Sequence, residues 1–165
     1  MGVNDRPWLA VGLGAGGPAG ELRVTVCYSP RMAIQLDHVA LAVEDLEASV
    51  RLWVDVLGLE ELGRETVVEQ GVHVAFLDAG GTRIELLEPI ESETAVGRHL
   101  SRRGPGIHHL CVRVPDLEAA LEELKVQGVP LINDSPQPGA HGTRVAFVHP
   151  RGTGGVLLEL VEEQS

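Results

Sequence analysis

Two stretches of this chain repeat each other at a fixed distance, and that repeat limits the folds open to it more than any other feature. Val43-Glu44-Asp45-Leu46-Glu47-Ala48 matches Val114-Pro115-Asp116-Leu117-Glu118-Ala119 at an offset of 71 residues. Gly71-Val72-His73-Val74-Ala75-Phe76 matches Gly142-Thr143-Arg144-Val145-Ala146-Phe147 at the same offset of 71, as does His38 with His109. After a three-residue insertion, Gly80-Gly81 and Glu85-Leu86 match Gly154-Gly155 and Glu159-Leu160 at an offset of 74. One such match arises easily by chance, but a constant offset over successive blocks marks a tandem duplication.

Each copy has the same pattern of elements. Residues 35–43 alternate as a β-branched and apolar strand that ends before Asp45, a good helix N-cap. Leu46, Val50, Trp53, Val54 and Leu57 then recur at helical spacing, which predicts a helix over 46–57. Strands follow at about 59–66, 72–78 and 82–88, separated by Gln70-Gly71 and Gly80-Gly81 turns. The second copy gives a strand at 107–114, a helix at 117–127, and strands near 129–133, 143–149 and 156–162. The expected fold class is α+β: two tandem βαβββ modules, module one 34–90 and module two 106–163. A linker at 91–105 between them holds one or two helical turns.

Residues 1–33 stand apart. Trp8 to Gly20 is rich in Gly and Ala without any period, and it fits neither a signal peptide nor a transit peptide. Met32 lies just before the first strand, so this stretch is expected to be a disordered or untranslated extension. A formal charge of −11 argues against nucleic acid or an anionic membrane as partner. No apolar run reaches the ~18–20 residues that span a bilayer. Cys27 and Cys111 are too few for a disulfide framework and read as reduced thiols. The expectation is a soluble, cytoplasmic protein.

The chemistry concentrates on four duplicated positions. In each copy the first strand carries a His and the last a Glu: His38 with Glu85, His109 with Glu159. Glu85 and Glu159 lie within very apolar strands, where a carboxylate is costly to bury unless it is paired or coordinated. Two imidazoles and two carboxylates suit a divalent ion with positions left open for water or substrate. The alternative is an exposed strand face for both glutamates and a histidine satisfied by Asp37 for His38. His73 and His99 read as surface residues, and His108 as packing or support for His109.

On these residues the chain resembles the vicinal oxygen chelate superfamily (glyoxalase, bleomycin resistance, dioxygenase), and within it the methylmalonyl-CoA epimerase family. The resembling blocks are LDHVALAV (36–43), EQGVHVAFL (69–77), IELLEP (84–89), GIHHLCVRV (106–114), PGAHGTRVAFVHP (138–150) and GGVLLEL (154–160). The resemblance implies a cup-shaped mixed sheet around a metal, with His38, Glu85, His109 and Glu159 as ligands. The cofactor expected is a divalent ion, Co2+ first, with Mn2+, Ni2+, Zn2+ or Mg2+ as alternatives. The implied partners are an acyl-CoA thioester and a second copy of the chain.

The implied reaction is inversion at C2 of methylmalonyl-CoA through an enolate, with Glu159 as the leading acid or base and Glu85 as a second candidate. Some relatives carry a further Glu where this chain has Val74, so a two-glutamate mechanism does not transfer directly. Gln70, His73 and a metal-bound water are other substitutes. Gln70, His141, Arg144 and Arg151 are expected at the substrate. Arg98, Arg102 and Arg103, with Arg144 and Arg151, are the candidates for the CoA phosphates. The competing readings are a glyoxalase-like isomerase, a ring-cleaving dioxygenase, and a metal-free binding protein of the same fold.

Overall fold

A computed structural model describes residues 34–162. The reading of residues 1–33 as an extension, and Cys27 with it, lies outside the described residues. The first copy runs β1 (Gln35–Ala42), α1 (Leu46–Val50) with a π-helical continuation Arg51–Val56, β2 (Glu60–Val67), β3 (Val72–Asp78) and β4 (Arg83–Pro89). After α2 (Ala95–Arg103) the second copy runs β5 (Gly106–Val114), α3 (Leu117–Val126), β6 (Gln137–Pro138), β7 (Arg144–Val148) and β8 (Leu158–Glu162). The strands form one mixed, curled sheet in the order β2-β3-β4-β1-β5-β8-β7-β6.

The duplication governs the register as well as the order. β1 and β5 meet antiparallel at the centre, with His38 opposite Cys111 and Ala40 opposite His109, so the offset of 71 exchanges one pair for the other. β4 lies parallel to β1 with Glu85 opposite Ala40, and β8 lies parallel to β5 with Glu159 opposite Cys111. The two glutamates therefore occupy equivalent places on one face. Both central strands are also bulged, β1 at Asp37 and β5 at His108. A bulge re-aims a side chain locally, and these two fall immediately before the two histidines.

Side-chain alternation divides the strands between a concave face and a helix-covered back. On the back, Leu46 and Val50 of α1 pack on Ala75, Leu77 and Leu86, while Leu117, Ala120 and Leu121 of α3 pack on Ala146, Val148 and Leu160. Leu77, Leu86, Leu117 and Leu121 are fully buried, and truncating any one of them to Ala would cost ~2–5 kcal/mol. The two helices start alike: Asp45 Oδ1 accepts from Ala48 N–H and Asp116 Oδ1 from Ala119 N–H, both at 2.8 Å. On the concave face, Ala40, Ala42, Val74, Phe76 and Leu87 pack with Val96 of α2.

Three elements differ from the sequence expectation. The helix expected over 46–57 widens after Val50, where Leu57 N–H bonds Leu52 O in an i→i+5 turn. The wider turn keeps Trp53 and Val54 against the sheet but leaves Leu57 exposed, out of phase with the apolar stripe. The strand expected near 129–133 is only an irregular edge. Leu131 bridges Val148, and Asn133 Oδ1 takes the Phe147 N–H that a strand carbonyl would have taken. Pro130, Pro136 and Pro138 remove donors along this edge, and the regular pairing shrinks to Gln137–Pro138. The linker forms a nine-residue helix, longer than one or two turns; Thr94 caps it, and Gly104, with φ 74°, ends it.

Among the described residues no helix is long and apolar enough to cross a membrane.

Candidate metal centre

Five polar or charged residues are buried among the described residues: Asp37, His38, Glu85, His109 and Glu159. All five sit on the concave face, around the β1–β5 seam. His38 Nε2 and His109 Nε2 face each other at 3.2 Å. Glu159 Oε2 lies 2.7 Å from His109 Nε2 and 3.7 Å from His38 Nε2. Three atoms of ligand type, two imidazole nitrogens and a carboxylate oxygen, thus converge on one buried point.

That convergence fits a metal ion. Donors each about 2.1 Å from a shared ion stand ~3.0 Å apart at right angles and ~3.4 Å apart at tetrahedral angles, a range that includes the spacing of the two histidines. Two imidazoles and a carboxylate suit the first-row divalent ions. Glu85 is placed one step away, with its Oε1 3.2 Å from the other nitrogen of His38, Nδ1. Of the four residues expected as ligands, three meet at a point and the fourth flanks it.

The bulged residues orient the two histidines. Asp37 Oδ1 is 2.9 Å from His38 Nδ1, and His108 Nδ1 is 2.9 Å from His109 Nδ1. Asp37 and His108 are equivalent under the offset of 71, so each copy engages its own Nδ1 and leaves Nε2 directed at the common point. Partners of this kind fix the tautomer and ring angle of a ligating histidine. Asp37 in turn accepts from Arg83 and Arg113, which reach it from β4 and β5. His108 meets His99 edge to face with ring centroids 5.1 Å apart, and His99 is half-buried rather than a surface residue.

The electrostatics follow from burial and these partners. Burial alone would raise the Glu159 carboxyl, but hydrogen bonds from His109 and His38 prevail and hold it at about 2. Burial would lower His38, but hydrogen bonds with Asp37, Cys111 and Glu159 and the charge of Glu85 push it up to about 12. Asp37 is held well below the carboxylate range: hydrogen bonds from His38, Arg83 and Arg113 overcome its burial. Glu85 goes the other way, raised chiefly by burial, with the Glu159 charge adding to it. Burial, with His109 close by, drops His108 to about 3. Burial also lifts the Cys111 thiol to about 12, which makes it inert.

A single pocket brings together the metal-centre residues with Gln70 and His141. Arg144 is not brought there. On β7 the alternate residues Val145 and Phe147 take the concave face, so Arg144 falls on the back, bridging Glu118 of α3 and Glu162 of β8. Arg151 is exposed in the turn after β7 and also lies outside the pocket lining. Arg98 lines a groove that continues from the pocket through Gln70, Leu87 and His109 to the start of α2. Arg102 and Arg103 are exposed on the last turn of α2.

Sequence reasoning missed the Arg83–Asp37–Arg113 cluster and a contact between Glu65 and His141. Both depend on register across the sheet; the only local signal was the acid directly before His38.

Residues 37–147 match the family model of the glyoxalase/bleomycin resistance protein/dioxygenase superfamily. The chain is 39% identical over 127 residues to the mitochondrial methylmalonyl-CoA epimerase of Mus musculus, covering 76% of this chain and 71% of that one. The chain belongs to the methylmalonyl-CoA epimerase family of that superfamily. It is also 38% identical to the ethylmalonyl-CoA/methylmalonyl-CoA epimerase of Cereibacter sphaeroides, over 76% of this chain and 96% of that one. A methylmalonyl-CoA epimerase solved in complex with methylmalonyl-CoA and NH4+ superposes with a TM-score of 0.74 at 35% identity, over 79% of this chain and 94% of that one.

Proposed function

We propose that this chain interconverts the 2R and 2S epimers of methylmalonyl-CoA, using a divalent ion held by His38, Glu85, His109 and Glu159. The observation that carries this reading is the buried convergence of two Nε2 atoms and a carboxylate on the concave face of a chain from this family. The proton on C2 lies between a thioester and a carboxylate, and its removal places negative charge on the thioester oxygen. Bound at this centre, a cation supplies the positive charge that stabilises it.

The protein's own groups do the rest. Glu159 is almost fully buried and points its Oε2 at the common point, and its carboxylate is the base assigned to take the proton from C2. The enolate is then reprotonated on the other face by a second carrier. Asp37 and His108 hold the two imidazoles so that neither Nε2 has to reorganise when charge develops. The apolar lining from Val67, Val74 and Leu87 limits water at the reacting carbon. The groove from Gln70 to Arg98 is the path proposed for the acyl-CoA tail, with Arg98 as its cation. Arg144, occupied by Glu118 and Glu162, is left out of this assignment.

The test uses metal-reconstituted protein and (2S)-methylmalonyl-CoA in deuterated water. Proton NMR follows loss of the C2 signal, and a 2R-specific mutase reports inversion. Metal-dependent exchange together with formation of the 2R epimer is the expected result. Bound metal with neither exchange nor inversion would falsify the reading.

A further inference from the structure

An epimerase that works by proton transfer needs two carriers, one on each side of C2, and the metal centre supplies only one with its proton free to move. Asp37 is locked by two arginines and His38, and Arg83, one of those arginines, stays charged. His38 and His109 have both ring nitrogens engaged, Nδ1 by their orienting residues and Nε2 at the common point. Glu85 turns its Oε1 to His38 Nδ1 at 3.2 Å and to the Arg83 guanidinium at 3.9 Å, so, unlike Glu159, its carboxylate is paired with a fixed cation. Val74, facing the pocket from β3, has no proton to give.

One titratable pocket residue remains. His141 lies in the short turn Ala140–Gly142 before β7, and three independent features fix it there. It is the only non-glycine residue with positive φ among the described residues, at φ 52° and ψ 27°. A side chain larger than glycine pays for that conformation, and such strain is retained where the position of the side chain matters. Glu65 of β2 holds it twice: its Oε2 accepts from the His141 backbone N–H at 3.2 Å and lies 3.1 Å from Nδ1. The ring also rests on Phe76 of β3, with centroids 4.5 Å apart.

The turn is closed by its own hydrogen bonds. Gly139 N–H bonds Thr143 O, Thr143 N–H bonds Ala140 O, and a Cβ on Gly139 would stand 2.6 Å from Thr143 Oγ1. With Nδ1 engaged by Glu65, Nε2 is the nitrogen available to the pocket.

The duplication places this residue opposite its counterpart. His141 and Gln70 stand at the offset of 71, each followed by a glycine of positive φ, and both line the pocket. One copy thus presents an amide that cannot carry a proton, and the other an imidazole that can. His141 reaches β2 and β3 from the second copy, whereas Glu159 stands on β8, across the β1–β5 seam from both strands.

We propose that His141, positioned by Glu65, is the proton carrier on the face of C2 opposite Glu159; this rests on the epimerase reading above. In one direction Glu159 takes the C2 proton and the C–H electron pair moves onto the thioester oxygen as the enolate. The His141 imidazolium then gives its Nε2 proton to C2 from the other side and becomes neutral imidazole, while Glu159 is left protonated. In the other direction the roles reverse. Solvent resets both groups between turnovers, so no further reactant is needed.

The test compares wild type, His141→Asn and His141→Gly, all metal-loaded, on each epimer separately in deuterated water. Asparagine and glycine both accept the positive φ, so the turn keeps its shape. The expected result is inversion reduced at least ~100-fold with metal content unchanged. C2 exchange should persist for the one epimer whose proton faces Glu159. Exogenous imidazole restoring inversion to His141→Gly would support the same assignment. Glu65→Gln should lower kcat about tenfold with KM within about twofold, as expected for a positioning residue.

Inversion by His141→Asn within about threefold of wild type would overturn the proposal while leaving the epimerase reading intact. So would loss of exchange from both epimers with metal and substrate still bound, which would make His141 a structural residue. A wild-type protein that binds metal but neither exchanges nor inverts overturns the epimerase reading itself, and the proposal with it.

Discussion

At the scale of single residues, Glu159 combines burial with a carboxyl held at about 2 by the two histidines. On the proposed mechanism its removal takes away both a metal donor and the base, so Glu159→Ala should lower kcat/KM at least ~1,000-fold, within the ~100- to 10,000-fold span of one acid–base group and without counting the weakened metal site. Near-normal turnover in the coupled mutase assay would remove Glu159 from this role. Asp37 plays a different part, as the anion that two arginines and His38 share. Asp37→Ala leaves three cationic or proton-rich groups without their anion. Breaking a buried pair costs ~3–5 kcal/mol, but both arginines are more than one-third exposed and keep much of their hydration. The expected loss is therefore about 2–3 kcal/mol in a urea titration, and a loss below about 0.5 kcal/mol would show that the cluster is solvated.

At the scale of elements, the two copies invite a direct comparison because they cap their helices with the same geometry. Asp45 and Asp116 each accept a 2.8 Å bond from the third residue onward, and each helix lies on the back of its own half of the sheet. Replacing either by Ala should cost ~1 kcal/mol, and the double variant should lose the sum, since the helices share no residue cluster. Chemical denaturation of the three variants checks this, and a clear departure from additivity would mean that the two halves are coupled through the central seam. Those caps were legible in the sequence because capping is local. So were the strands on either side of the site, whose apolar alternation is strong.

The elements that escaped are those decided by neighbours. The edge at 129–133 carries a strand-like run, but Pro130 removes a donor within it and Asn133 Oδ1 takes the Phe147 N–H. The widened turn after Val50 depends on how Trp53 and Val54 settle on β3 and β4. The bulges at Asp37 and His108 arise from the β1–β5 register, and with them the residues that orient both histidines. For the same reason Arg144 looked available in sequence, although strand alternation turns it toward Glu118 and Glu162.

At the scale of the whole molecule, the charges around the centre link folding, pH and metal loading. Without metal, His38 is raised from 6.5 to about 12, so its contribution to stability is complete below pH 6.5 and disappears as pH rises toward 12. Glu159 and Asp37 are lowered, so theirs is present above about pH 4.5 and is lost on acidification, for Glu159 down to about pH 2. His108, lowered to about 3, adds a loss that begins as pH falls below 6.5, so the metal-free protein should be most stable at about pH 6 and should weaken on either side.

An ion at the Nε2 atoms needs a neutral His38 and takes over its role against Glu159. Loading must then release a proton at neutral pH. Two results should follow: Tm of the metal-free protein falls from pH 6.5 to 9, while the gain on adding metal grows over the same range. At a hundredfold excess of the ion over its Kd that gain corresponds to ~2.7 kcal/mol. Titration calorimetry at pH 7 in two buffers of different ionisation enthalpy should count about one proton released per ion bound. No proton release, with a Tm gain independent of pH, would place the ion away from His38 and dissolve the link between the duplicated histidines and the metal.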